Sequence, residues 1–430
     1  MDSSWGTSHD LNGDGYDDVV ANVPGPDQLA VILGGLGVSA TTNIRMIESP
    51  FHNFGSTAFV TIGDINGDGS PDALCAAYRR TPEAESFVYL IRGLHPDSSP
   101  HLERLTTLRE RFTLPSPTGD VNGDGFADTL ALSENGSFLL FGAPVGIGAT
   151  VRIVDPPTPP FIRPRPVIVG DVDQDGYADI AVPYGEFQLW RGGPSGPMVD
   201  RRIRPVFRGF VVGIGDVNGD GSADLISGSS SGAEVRFGSR EEGLQEVISI
   251  LPSPMFPADN QFGDRVSSPG DFDGDGFADF ALGMPNQLPH PRLPGEHGGT
   301  VVIFSGSGSG VAPERSARLN RSPAECCDFG TALAGGSDTN GDGFDDLVVG
   351  FPSGGLDLSI PLYGGMVIVY QGSAAGISIT ESIVFRNDSM DSLGRIGSGL
   401  ALTDPGTLPG RLRPPFIVGA RTWDHLARSL

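Results

Sequence analysis

Seven times along the chain, acidic and amide side chains recur in one nine-residue spacing, D-x-[DN]-x-D-G-x-x-D, and that spacing is a ligand pattern. The copies open at Asp10, Asp64, Asp120, Asp171, Asp216, Asp271 and Asp338. Positions 3 and 5 are Asn12 and Asp14, Asn66 and Asp68, Asn122 and Asp124, Asp173 and Asp175, Asn218 and Asp220, Asp273 and Asp275, and Asn340 and Asp342. Position 9 is Asp18, Asp72, Asp128, Asp179, Asp224, Asp279 and Asp346. Side-chain oxygens at positions 1, 3 and 5, a backbone carbonyl at 7 and a later acid are what a Ca²⁺ loop presents to a hard cation. Position 7 varies among Tyr16, Ser70, Phe126, Tyr177, Ser222, Phe277 and Phe344, as expected if only the carbonyl ligates. The pattern predicts up to seven Ca²⁺ sites. Mg²⁺ fits less well, because it prefers octahedral shells that retain water.

Two other readings weigh against that one. An EF-hand needs Glu at position 12, and Ala21, Cys75, Ala131, Val182, Ser227, Leu282 and Val349 stand there instead. Position 9 is therefore expected to close the coordination sphere, directly or through water. Asp-Gly loops also form turns without any metal. Turn chemistry alone, however, would let Asn, Ser and Asp interchange at positions 1, 5 and 9, and all seven copies keep Asp there. Ligating carboxylates must be ionised, so metal and stability are expected to be lost together in acid, with chelated protein resembling acidified protein.

The chain carries 53 acidic against 28 basic residues, a formal charge of −25. Positions 1, 3, 5 and 9 of the loops hold 23 of the acids, and seven divalent ions would reduce the charge to about −11. The acidity thus reads as cation ligation. No basic patch appears, which disfavours nucleic acid. Every basic residue is Arg and none is Lys, which excludes a phosphate-loop or Schiff-base lysine and is consistent with a GC-rich, bacterial source. No apolar run is long enough to span a membrane, and the first residues lack the regions of a signal peptide. The chain opens almost on its first loop, as a mature piece or a fragment would. Cys75 reads as a small buried strand residue. Cys326 and Cys327 read as two free thiols, a vicinal disulfide or soft-metal ligands.

The elements that must position these loops follow one grammar. A short strand leads into each loop, as in Val211–Gly215; a β-branched strand follows position 9; a third ends at Gly, as in Phe187–Gly192; and a less regular fourth completes the unit. First-Asp spacings run from 45 to 67 residues. Four strands per period without helical periodicity predict an all-β fold, a β-propeller of four-stranded antiparallel blades. Seven blades are expected, with eight as the alternative. A degenerate, incomplete eighth repeat runs from about 388 to 430, within a single domain over 1–430. If Ile396–Leu402 pairs with the first unit, the ring closes at seven and Phe416–Ala420 is left over. The segments after Met284-Pro285 and Phe351-Pro352 are long and are expected on one rim, where binding surfaces are built.

These units resemble FG-GAP repeats of integrin α-subunit propellers and their bacterial relatives. Phe262-Gly263 and Phe329-Gly330 precede the sixth and seventh loops, and Gly283-Met284-Pro285 and Gly350-Phe351-Pro352 follow them. Earlier units mostly lack Phe-Gly, which leaves their borders open. The resemblance implies a seven-bladed propeller with Ca²⁺ between the first two strands of blades. It also implies extracellular or cell-surface recognition of proteins or glycans, often on the face away from the metals. The function expected is thus a non-catalytic, monomeric, calcium-stabilised interaction or adhesion module. A lectin with pockets lined by aromatics such as Trp190 or Tyr184 is one alternative, and an enzyme with carboxylates on the rim is another. Gly228-Ser229-Ser230-Ser231-Gly232 has the letters of a nucleophile elbow but reads as a turn. The seven histidines lack metal-site spacing, and the Asn135, Asn320 and Asn387 sequons carry weight only outside bacteria.

Overall fold

The computed structural model describes residues 10–23, 28–35, 44–48, 60–69, 71–79, 85–92, 101–108, 112–113, 118–133, 136–154, 166–184, 186–203, 205, 210–229, 232–241, 243–245, 249–251, 265–267, 270–284, 299–320, 329–351, 366–380, 383–386, 400–401 and 417–418. Among these the regular elements are all strands. They form seven antiparallel sheets of four or five strands and one two-stranded hairpin. In the fourth sheet, for example, Val167–Gly170, Asp179–Tyr184, Glu186–Arg191 and Met198–Ile203 follow one another in space as in sequence. Short β-branched runs punctuated by turns favour such strands, and successive side chains face opposite sides of each pleated strand.

That alternation explains how the sheets stack. In the strand Asp346–Phe351, Leu347, Val349 and Phe351 pack toward the sixth sheet, while Val348 packs toward the first. The strand Met366–Tyr370 splits likewise, Ile368 to one side and Val367 and Val369 to the other. Both faces of these inner strands are buried, so they read as continuous apolar runs rather than as half-polar strands. Seven apolar clusters result, one between each sheet and the next. The last joins Ala332, Ala334 and Val348 of the seventh sheet to Val19, Ala30 and Ile32 of the first. The sheets therefore follow one another around a β-propeller, each edge-on to the axis.

The chain's two ends meet in the first sheet. Its strand order is Ile44–Glu48, Gln28–Ile32, Val19–Val23, Leu400–Ala401, Ile417–Val418. Val20 pairs with Ala401, so the lead strand that the first unit lacks is supplied from the C-terminal end. Ile417 and Val418 are not left over: they pair with Ala401 and Leu400 and add a fifth strand. The Ser229–Gly232 segment joins two paired strands of the fifth sheet, a hairpin and not the strand–turn–helix of a nucleophile elbow. Cys75 is fully buried in the strand Asp72–Arg79, where burial pushes its thiol up in pKa. Ser70, Cys326, Cys327, the Phe262-Gly263 pair and the two long inter-strand segments lie outside the described residues.

Candidate metal centres

The second to seventh acidic loops connect the first and second strands of their sheets, the first leads into Val19–Val23, and the loops are shaped by their own carboxylates. Asp120 Oδ1 accepts from the backbone N–H of Asp124 at 3.2 Å, and its Oδ2 accepts from Gly125 at 2.8 Å. Asp124 Oδ1 accepts from Phe126 N–H at 3.0 Å, and Asn122 Oδ1 from Asp124 N–H at 3.0 Å. The same ladder recurs at Asp10, Asp171, Asp216 and Asp338. Asp and Asn side chains that close on nearby backbone N–H groups wind the loop tightly. The turn at position 6 needs a left-handed backbone, and Gly125 has φ of 88°.

Position 9 has a second duty that the sequence reading missed. Asp128 Oδ2 accepts from Val121 N–H at 2.9 Å, and its Oδ1 accepts from Gly142 N–H at 2.9 Å. Gly142 lies near the end of the third strand of the same sheet. Asp179, Asp224, Asp279 and Asp346 make the same pair of bonds, to Gly192, Gly238, Gly306 and Gly372 at the far end. These carboxylates tie the loop to the third strand as well as standing beside the candidate cation position. The signal was present in the glycine that ends each third strand. A Cβ on Gly142 would stand 2.6 Å from the carbonyl oxygen of Ala127, so only glycine brings its N–H close enough.

The loops also interlock. The ring at position 7 of one loop lies on the position 4 glycine of the loop before it: Phe126 on Gly67, Tyr177 on Gly123, Phe277 on Gly219, Phe344 on Gly274. Tyr16 of the first loop lies on Gly341 of the seventh, which links the two ends of the chain independently of the paired terminal strands. Where position 7 is Ser222 instead of a ring, position 4 of the preceding loop is Gln174, the one described non-glycine with positive φ, at 55°. Its Nε2 donates to Ser222 Oγ at 3.0 Å and to the Asp220 carbonyl at 2.8 Å. The N–H at position 8 donates to the position 1 carbonyl of the preceding loop, as from Ala178 to Asp120 at 2.9 Å. The expected role of position 7 as a bare carbonyl is thus joined by a packing role for its side chain.

Whether these residues fit a divalent ion can be judged from their oxygens. Asn12 Oδ1 and Asp18 Oδ2, in one loop, and Asp173 Oδ1, in another, are buried without a hydrogen-bond partner. Buried orphan oxygens are costly, and such atoms at positions 3 and 9 match the expected ligand positions. Ligand oxygens of Asp171, Asp173 and Asp179 lie within 4.8 Å of one another, as do those of Asp271, Asp273 and Asp275. Oxygens bound to one Ca²⁺ at about 2.4 Å stand no farther apart than about 4.8 Å. Without an ion, burial pushes the position 9 carboxyls up, Asp18, Asp128 and Asp279 to about 8 and Asp346 to about 7, against the pull of their backbone N–H bonds. The donor set is hard, anionic and partly desolvated, and it fits a cation of the calcium kind.

Comparison with known proteins bears on these repeats directly. The family model of the FG-GAP-like repeat matches residues 10–75, 120–182 and 216–282, and that of the FG-GAP repeat matches 329–370. The chain is an FG-GAP repeat protein. Integrin alpha-5 of Xenopus laevis is 30% identical over 184 residues, 40% of this chain and 17% of the integrin. Integrin alpha-4 of the same species is 31% identical over 157 residues, 33% of this chain and 14% of that one. The FG-GAP protein therefore spans under a fifth of these relatives. A solved structure of an Agrocybe aegerita lectin, titled for recognition of non-reducing terminal N-acetylglucosamine, superposes with a TM-score of 0.52 at 15% identity, covering 87% of this chain and 91% of the lectin. That likeness concerns the fold. Among the described residues of the FG-GAP protein, no helix is long and apolar enough to cross a membrane. Trp190 is half-buried against the cluster between the third and fourth sheets, with its indole N–H on Gln188 Oε1 at 3.1 Å; the Tyr184 side chain lies outside the described residues.

Proposed function

We propose that this protein is a calcium-stabilised, non-catalytic interaction module of the extracellular space or cell surface, a single seven-bladed propeller whose partner is a protein. The carrying observation is the set of buried, partnerless oxygens at ligand positions, Asn12 Oδ1 and Asp18 Oδ2 in one loop and Asp173 Oδ1 in another. Positions 1, 3, 5 and 9 of each loop would supply side-chain oxygens and position 7 its carbonyl. The bound ion would neutralise carboxylates that otherwise repel one another. Because position 9 also holds the third strand and position 7 packs on the neighbouring loop, an ion in one loop would stiffen two sheets at once.

The partner face follows from topology. In an antiparallel sheet the first-to-second and second-to-third connections leave from opposite ends. The acidic loops occupy the first kind. The described strand ends that flank the long segments, Met284 and Thr300 in the sixth sheet and Phe351 and Met366 in the seventh, belong to the second kind and lie on the other face. Support for a protein partner comes from the integrin relatives. A glycan is the second reading, suggested by the lectin of the same fold.

Calorimetric titration of Ca²⁺ into chelated protein, paired with thermal melts, tests the metal half. Binding heat and a higher melting temperature are expected, since a ligand bound only by the native state at 100-fold above its Kd adds about 2.7 kcal/mol. Neither heat nor a shift would end this reading. Replacing each long segment with a short Gly-Ser link is expected to preserve the calcium-dependent melt while abolishing adhesion to immobilised matrix proteins. Adhesion that survives, or a hit confined to a glycan array, would move the partner assignment.

A further inference from the structure

Two of the seven loops differ from the rest in a way that the repeat pattern does not explain. Position 3 is Asn in five loops and Asp in two, Asp173 and Asp273. Each of the two Asp loops has an arginine on it, and the arginines arrive by different routes. Arg191 comes from the third strand of the fourth sheet, with Nη1 2.6 Å from Asp173 Oδ2 and Nε 3.4 Å from Asp200 Oδ2. Arg315 comes from the fourth strand of the sixth sheet, with Nη1 2.8 Å from Asp275 Oδ2 and Nη2 on Asp273 Oδ2. The loops opening at Asp10, Asp120, Asp216 and Asp338 carry no ion pair on positions 1, 3, 5 or 9 among the described residues.

The charge count is the same in both kinds. Three carboxylates and one divalent ion leave one negative charge. Four carboxylates, one guanidinium and one divalent ion leave one as well. In the fourth loop the two cations need not compete for an atom. Arg191 takes Asp173 Oδ2, while Oδ1 of the same side chain is buried and has no hydrogen-bond partner. Asp173 is only 4% exposed, so that free oxygen is directed into the loop and away from water.

Building on the calcium reading, we infer that the fourth and sixth loops form a second class of cation site, held closed by Arg191 and Arg315 before any divalent ion arrives. The guanidinium is a resident counter-ion for the extra carboxylate and does not stand in for the metal. The loops opening at Asp10, Asp120, Asp216 and Asp338 have no such device among the described residues and close fully only when loaded. Under scarce calcium the fourth and sixth loops keep their shape while the others open.

Hydrogen exchange of the full chain in excess EDTA tests this without any bound ion. Amides of 171–179 and 271–279 are expected to exchange about three- to tenfold more slowly than those of 120–128 and 338–346, as a half-exposed arginine–carboxylate pair would produce. Arg191→Gln should remove that protection from 171–179 alone, and Arg315→Gln from 271–279 alone. Added Ca²⁺ should restore both. The double variant Arg191→Gln with Asp173→Asn recreates an Asn loop and should match 120–128 in EDTA. Equal exchange of all loops in EDTA, or arginine variants that change nothing there, would overturn the inference and leave the calcium reading standing. Protection by Ca²⁺ in none of the loops would overturn the calcium reading, while the comparison in EDTA would still decide the role of the arginines.

Discussion

Asp128 and its equivalents are the residues on which loop, strand and ion converge, and their titration has an unusual sign. An unfolded aspartate titrates near 3.9. Burial first, opposed by backbone N–H bonds, raises Asp18, Asp128 and Asp279 to about 8 and Asp346 to about 7 in the metal-free fold. A proton held more tightly by the fold stabilises it fully below the unfolded pKa, and that contribution is lost as pH rises through the folded pKa. Metal-free protein should therefore melt at progressively lower temperature from about pH 4 to about pH 8. Calcium needs these carboxylates ionised, so loaded protein should gain stability over the same range. Melts in EDTA and in Ca²⁺ should diverge as pH rises, and parallel curves would contradict the assignment. This replaces the expectation that chelated and acidified protein behave alike. Acid neutralises the carboxylates and ends their repulsion, whereas a chelator removes the ion and leaves the repulsion in place. Asp128→Asn keeps the shape but turns an amide N–H₂ toward one of two backbone donors, Val121 or Gly142. A loss of about 1–3 kcal/mol in urea unfolding with calcium present is expected. The aspartates themselves were legible in the sequence because ligand chemistry fixes their spacing. Arg315 was not, because it reaches Asp275 from 40 residues away and no local pattern marks it.

Between elements, the interlock of position 4 and position 7 makes neighbouring loops dependent on each other. A Cβ on Gly123 would come within 2.3 Å of the Tyr177 ring, whereas one on Gly13 would meet nothing. Both glycines have positive φ, 74° and 78°, so Gly→Ala adds similar backbone strain at each, and the difference isolates the ring. Gly123→Ala should cost about 1–3 kcal/mol more than Gly13→Ala, as an overpacked contact does, and equal costs would show that the ring gives way freely. The strands were legible from their β-branched runs and terminal glycines. The interlock was not, since position 4 of one loop meets position 7 of the next only across some fifty residues of chain, as Gln174 meets Ser222.

At the scale of the molecule, the repeat period announced a ring of sheets because a four-stranded unit with two apolar faces needs a neighbour on each side. The clusters between successive sheets, including Phe280 stacked on Phe304 with centroids 5.3 Å apart, bear this out. Phe304→Ala should cost about 3–5 kcal/mol in denaturant unfolding, and a loss below about 1 kcal/mol would mean that the sheets do not share a core. The fate of Ile417 and Val418 was not legible, because a two-residue edge strand carries too little pattern to place. The account as a whole turns on cations inside the acidic loops. Anomalous diffraction from crystals grown in CaCl₂ measures that directly. Peaks enclosed by positions 1, 3, 5 and 9 are predicted, with Asp173 touching the ion through one oxygen and Arg191 through the other. Loops without peaks, their carboxylates still folded onto backbone N–H groups, would contradict it.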